Sequence, residues 1–277
     1  MGEVHLYTVL WNEADMLGFF FRHYDSWVDR YVVLDDGSDD GTLEILAAHP
    51  KVEVRHLERA HPESANLSLL AAQDEGWKES RGVADWVLVV DVDEHLHVLD
   101  QEPRAYLERQ RDQGVTLVPS LGFDLNSRAF PDHGDHLVET IRRGRPRTAF
   151  NKLCAWNPDA VTASGLHPGR HGAEPEGTLR LPARDELMLW HYKHLDLARW
   201  NHRDTELGAR RGRIDHEQGL GIHYFMTPEE RAEFWADMEA ESTELGGPGF
   251  VPDERAVRPL WWDGYDRVAD PAAREQA

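Results

Sequence analysis

The chain has 277 residues, 40 % hydrophobic and 29 % charged, enough to bury a core and too apolar for wholesale disorder. Acidic residues outnumber basic ones 51 to 30, and a formal charge of −21 excludes general binding to a nucleic-acid backbone. An anionic ligand on so acidic a chain needs local neutralisation, and a divalent cation is the obvious source.

In chain order, residues 4–10 read as a buried strand, followed by a helix through Met16, Leu17, Phe20 and Phe21. Residues 31–34 form a second strand, ending in the turn-rich Asp35-Asp36-Gly37-Ser38-Asp39-Asp40-Gly41. A helix over 42–48, a strand over 52–57 and a longer helix over 64–80 come next. Residues 86–90 are a fourth strand, nearly all β-branched or aliphatic, as expected where both sheet faces are covered. This alternation predicts a parallel, doubly wound sheet, whose ligands bind beyond the carboxyl ends of its strands. Three polar segments fall at those ends: Asn12-Glu13, the turn at 35–41, and Asp91-Val92-Asp93-Glu94.

After residue 100 the pattern loosens. A helix over 102–113 and strands over 115–123 and 150–156 precede a Gly/His/Pro-rich loop at 164–177. A charged, helical third runs from about 195, with breaks at Gly219-Leu220-Gly221 and Gly246-Gly247-Pro248-Gly249, and residues 270–277 read as a frayed polar end. The single cysteine, Cys154, lies in an apolar run and reads as a buried structural thiol. It excludes an internal disulfide framework and suits a reducing compartment. With neither a signal-peptide pattern nor an apolar run of about 18 residues, the expected location is cytoplasmic, with no integral membrane span.

Asp91 and Asp93 stand at i and i+2 directly after Val87-Leu88-Val89-Val90. On an extended strand both carboxylates point the same way, so they can share one hard divalent cation with donor phosphates and water. In the second segment, Asp and Ser side chains can bond their own turn, and Asp40 or Thr42 can cap the next helix. That explains much of the turn, but not a carboxylate pair at the strand tip, where Asp36 can accept hydrogen bonds from a base or ribose.

Val9-Leu10-Trp11-Asn12-Glu13, then Val33-Leu34-Asp35-Asp36-Gly37-Ser38, then Val90-Asp91-Val92-Asp93-Glu94 resemble the ordered signatures of family 2-type glycosyltransferases. The resemblance covers roughly the first hundred residues. It implies a GT-A type α/β fold: a Rossmann-like, mostly parallel sheet flanked by helices, with a helical C-terminal extension. It implies a nucleotide-sugar-binding half at 1–115, an acceptor-side half at 116–194 and the extension at 195–277. Leu10, Asn12, Glu13 and Asp36 then belong to the nucleotide-sugar site, Asp36 at the base. Asp91 lies near the ribose or metal, and Asp93 is the main ligand of Mn²⁺ or Mg²⁺.

In the second half, Lys152 and Arg211 are candidates to offset phosphate charge, with Arg210 beside them. His191 is the first choice to complete the metal shell and His167 the second; neutral imidazole suits Mn²⁺ better than Mg²⁺. His191, His194 and His202 share a zinc-like spacing, but no Cys partner or HExxH pattern supports it. The basic run from Arg142 to Arg147 reads as a loop over the diphosphate or as a solvated basic loop. Trp261-Trp262 reads as core rather than as a sugar platform. An inverting transfer needs a general base near the acceptor hydroxyl; Asp124 is the candidate, with Asp185 and Glu186 as competitors. The expected activity is metal-dependent transfer of a sugar from a nucleotide-diphosphate donor to an unnamed acceptor hydroxyl. The alternatives are a GT-A nucleotidyltransferase, which usually carries a Gly-rich basic loop absent after the first strand here, or a non-catalytic nucleotide-sugar-binding protein. The sequence leaves oligomeric state open.

Overall fold

A computed structural model describes residues 2–270; the expected fraying at 271–277 lies outside the described residues. The first strand, β1 (Glu3–Leu10), is buried over all but its first residue and leads into α1 (Leu17–Tyr24), whose Phe19, Phe20 and Phe21 are all buried. β2 (Arg30–Asp35), α2 (Thr42–Ala47), β3 (Val52–His56) and α3 (Ala65–Glu75) follow, with Ser64 Oγ capping α3 through the Leu67 amide at 3.0 Å. The helix expected over 64–80 stops at Glu75, and residues 76–80 tighten into a 3₁₀ turn. β4 (Ala84–Val89) completes a parallel set in the order β3-β2-β1-β4.

Beyond that set the sheet turns mixed. A short β5 (Glu94–His97), which the sequence reading did not foresee, leaves directly from the acidic tip of β4, and α4 (Pro103–Asp112) follows. The eleven-residue β6 (Leu117–Ser127), the short α5 (Leu137–Thr140), β7 (Arg143–Pro146) and β8 (Lys152–Trp156) come next. β8 lies antiparallel between β4 and β6, and β7 is antiparallel to β6. A small hairpin of β9 (Val161–Ala163) and β10 (Glu176–Gly177) frames the 164–175 loop. β11 (Met188–Leu195) runs parallel to the far half of β6 and antiparallel to β5. Helices α6 (Leu197–Ala209), α7 (Arg213–Gln218) and α8 (Pro228–Glu241) then pack across the strand ends, and β12 (Thr243–Glu244) pairs with β7.

Most of the basic run at 142–147 is thus strand β7, set between β6 and β12, and not a loop over a ligand. Arg142 donates to the carbonyls of Leu245 and Gly246, Arg143 to that of Ser242, and Arg145 to Glu241 at 2.5 Å. Only Arg147 reaches the cleft described below. Cys154 is fully buried, and burial pushes its thiol up to about 11, so it behaves as a small apolar side chain. Trp262 is likewise buried, and its indole N–H donates to Asp185 at 3.1 Å.

Candidate active site

The carboxyl ends of β1, β2 and β4 open onto one cleft of about 680 Å³, roofed by α6 and the 219–226 segment. Leu10, Glu13, Asp36, Asp91, Asp93, Asp124, Lys152, His191 and Arg211 all line it; Asn12 and His167 do not. Parallel strands bring residues far apart in sequence to one edge, as expected of such sheets.

The turn at 35–41 divides its acids between two tasks. Asp35 accepts from the amides of Gly37 at 2.9 Å and Ser38 at 3.1 Å, which closes the turn. Asp36 faces the cleft instead, gripped by Arg59 (2.9 and 2.5 Å) and by Arg210 (2.7 Å). Burial pushes the Asp36 carboxyl up, but the two guanidiniums outweigh it and hold the group below the ordinary range, so it stays an ionised acceptor. Arg210 also lies over the Trp11 ring, 3.9 Å from its centroid.

Asn12 serves the backbone. It adopts a left-handed conformation (φ 51°), which Asn tolerates better than most residues, and its amide group donates to Asp39 while accepting from the Asp39 amide, both at 2.8 Å. Glu13 points inward to Arg203 at 2.5 Å. Burial pushes its carboxyl up to about 7, against the opposing pull of Arg203 and with a smaller upward push from Asp93.

The acidic tip of β4 is more elaborate than its sequence implies. Glu94 is fully buried and bonded by Lys152 Nζ at 2.5 Å and by Arg170 Nη2, while its Oε2 accepts the Asp91 amide at 2.9 Å. Burial pushes the Glu94 carboxyl up, yet the two cations hold it far below the usual range. Arg170 comes from the 164–175 loop with φ at 57°, is 1 % exposed, and also donates to the Val89 carbonyl at 2.7 Å. Its guanidinium lies 3.1 Å from Asp91, whose other oxygen accepts from Gln73 at 3.1 Å. Lys152 is therefore committed to Glu94, with Asp91 3.8 Å away, rather than presented to a phosphate.

The expected metal trio separates into a pair and a neighbour. Asp93 Oδ1 and His191 Nε2 stand 3.6 Å apart, and the Asp93 carboxylate accepts no hydrogen bond among the described residues. Asp91, held by Arg170 and Gln73, does not join them, and no group of three His, Cys, Asp or Glu side chains able to hold an ion occurs among the described residues. His191 is 6 % exposed and stacks on Phe150 with centroids 4.0 Å apart; burial lowers its pKa, which keeps the imidazole neutral. His167 is exposed and pairs loosely with Glu174 at 3.7 Å, and His202 is 77 % exposed, so the zinc-like spacing assembles nothing.

Asp124 is fully buried. Its Oδ1 is 2.6 Å from His194 Nδ1, and its Oδ2 has no partner among the described residues. Burial pushes this carboxyl up, and His194 draws it back below the usual range. Asp185 is bonded to Arg267 and Trp262 and Glu186 to Arg109, and neither carboxylate lines the cleft. Arg211 has no carboxylate partner among the described residues and lies over Tyr224, 4.4 Å from its centroid. Arg59, Gln73, Arg170 and Arg203 escaped the sequence reading, and His194 entered it only through the zinc-like spacing. A buried Glu94 demands cations, but nothing in the sequence says which.

A mostly parallel sheet flanked by helices, with acidic strand tips over a cleft, is consistent with a GT-A type α/β fold. Residues 7–116 match the family described as Glycosyl transferase family 2. No curated protein matches the chain. Among solved structures, it is similar to glucosyl-3-phosphoglycerate synthase from Mycobacterium tuberculosis, in a complex with Mn²⁺, UDP-glucose and phosphoglyceric acid. That likeness has 17 % identity over 62 % of each chain and a TM-score of 0.35. A 4-diphosphocytidyl-2C-methyl-D-erythritol synthase matches with 16 % identity over 57 % of this chain and 76 % of its own, at a TM-score of 0.30. The chain thus spans 62 % of the length of the first synthase, and likeness at such scores carries no argument about substrate.

Proposed function

We propose that this protein transfers a sugar from a nucleoside-diphosphate donor to an acceptor hydroxyl with inversion at the anomeric carbon. The observation that carries the reading is the convergence of Asp36, Asp91 and Asp93 on one cleft within the family 2 segment. Asp36, kept ionised, accepts from the base or ribose, with Leu10 and Trp11 beside it. Arg211 faces the diphosphate, while Glu13, Asn12 and Lys152 hold the surrounding acids and turn in place.

Asp93 and His191 suit a divalent cation. A carboxylate without hydrogen bonds among the described residues faces a neutral imidazole nitrogen at 3.6 Å, a donor pair that fits Mn²⁺ better than Mg²⁺. When bound, the ion supplies positive charge against the departing diphosphate. Asp91 instead stays with Arg170, which keeps the strand tip rigid. No helix among the described residues is long and apolar enough to cross a membrane.

The test is a thermal-shift panel of UDP, GDP and dTDP with and without Mn²⁺, followed by nucleoside diphosphate release from UDP-glucose, GDP-mannose and dTDP-glucose. One nucleotide should stabilise the protein in a Mn²⁺-dependent way, and its sugar should be turned over. Pyrophosphate release from a nucleoside triphosphate and a sugar phosphate would instead mark a nucleotidyltransferase. Stabilisation without turnover would mark a binding protein, and no stabilisation at all would overturn the reading.

A further inference from the structure

The glycosyl-transfer reading leaves the proton of the acceptor hydroxyl without a destination. Asp124, the carboxylate singled out in the sequence, is fully buried and already engaged with a histidine. We infer that His194 is the general base of the transfer and that Asp124 is the residue that positions it; the inference rests on the glycosyl-transfer reading above.

The backbone supplies the first argument. Along a regular strand, side chains at i and i+3 point to opposite faces. On β11, His191 pairs with Asp124 of β6, and His194 pairs with Asn126, so three steps on one strand match two on the other. That extra residue is a bulge, a device that re-aims side chains beside active sites. It brings both His191 and His194 into the cleft.

The side chains supply the second. His194 Nδ1 meets Asp124 Oδ1 at 2.6 Å, and His194 Nε2 has no hydrogen-bond partner among the described residues. An ionised carboxylate on Nδ1 fixes the tautomer with its proton there, leaving the Nε2 lone pair to accept. The ring is held edge-on by Trp200, with centroids 4.5 Å apart and planes at 90°, and lies against Phe234 at 5.4 Å. Those aromatic walls hold its orientation and lower the local polarity, which strengthens the pairing with Asp124.

In the step itself, Nε2 takes the proton of the acceptor hydroxyl while the oxygen forms its bond to the anomeric carbon. The bond from that carbon to the diphosphate oxygen breaks, and its electron pair leaves with the nucleoside diphosphate. The imidazolium formed is stabilised by Asp124, which keeps its own charge throughout. Water entering in place of the acceptor follows the same course and gives free sugar.

The experiment measures nucleoside diphosphate release by the full chain with Mn²⁺ and UDP-glucose, GDP-mannose or dTDP-glucose. It compares wild type, His194→Ala, His194→Gln and Asp124→Asn. Loss of a general base predicts a fall in kcat of about 10²- to 10⁴-fold, with the donor KM within about threefold of wild type. Added imidazole should restore part of the lost rate in His194→Ala and none in Asp124→Asn. Both His194 variants turning over at the wild-type rate would overturn the inference and leave the glycosyl-transfer reading intact. A loss that appears in KM, or that imidazole fails to relieve while nucleoside diphosphate still stabilises the variant, would also overturn it. A wild type that neither binds nor turns over any donor would overturn the underlying reading and the inference together.

Discussion

Replacing Glu94 with Gln removes the only fully buried carboxylate at the β4 tip and leaves its two cations in place. Lys152 is 4 % and Arg170 1 % exposed, so neither can recover its hydration by turning to solvent. The Gln amide offers one acceptor where the carboxylate offered two, and its N–H₂ must face a cation or the Asp91 amide. Removing one partner of a buried ion pair typically costs about 3–5 kcal/mol. Asp91, 3.1 Å from Arg170 and 3.8 Å from Lys152, compensates partly, which places the expectation near the lower end, about 3 kcal/mol. For a domain of this size that corresponds to a drop in Tm of roughly 6–12 °C. Thermal unfolding followed by circular dichroism reads it directly. Combining Glu94→Gln with Arg170→Met should recover part of the loss, because the second change removes one stranded cation. A Tm for Glu94→Gln within about 2 °C of wild type would refute the buried-triad account.

Three further outcomes are expected. Asp93→Ala should abolish the Mn²⁺-dependent thermal shift, whereas Asp91→Asn should keep it; the reverse result would restore Asp91 as the metal ligand. Gly122 leaves no room for a Cβ, which would stand 2.2 Å from the Phe150 carbonyl carbon, so Gly122→Ala should displace the ring under His191. A cost of about 1–3 kcal/mol and weaker Mn²⁺ binding are expected, read by urea unfolding and metal titration; unchanged values would refute the close approach. Burial pushes His23 down to about 3, His97 down to about 4, and His95 well below the ordinary histidine value. Each stays neutral when folded but takes a proton near pH 6.5 when unfolded, so their stability contribution is complete above pH 6.5 and lost as pH falls toward 4. Each contributes up to about 1.4 kcal/mol per pH unit in that window. Neither ring nitrogen of His95 has a hydrogen-bond partner among the described residues, so His95→Leu should flatten that slope by about one proton; an unchanged slope in pH-dependent urea unfolding refutes it.

Much of the cleft was legible in the sequence because strand tips, turn glycines and paired carboxylates are local patterns. The 86–90 run, the Asp35-to-Gly41 turn and Asp91-Val92-Asp93 each announce themselves within ten residues, and chain order alone put them at one sheet edge. What the acids are bonded to was not legible. Lys152 and Arg170 reach Glu94 across 58 and 76 residues, and Arg210 reaches Asp36 across 174. Such pairings depend on how β8, the 164–175 loop and α6 pack against the parallel strands. Tertiary structure also separated Asp91 from Asp93, since a guanidinium captured one carboxylate and left the other facing His191. The pairing of Asp124 with His194 depends on a one-residue bulge in β11, a register feature that no local pattern encodes. Sequence by itself determined the fold class and the acids of the cleft; only packing decided which remain open to a ligand, because burial and long-range charge pairing are properties of the assembled sheet.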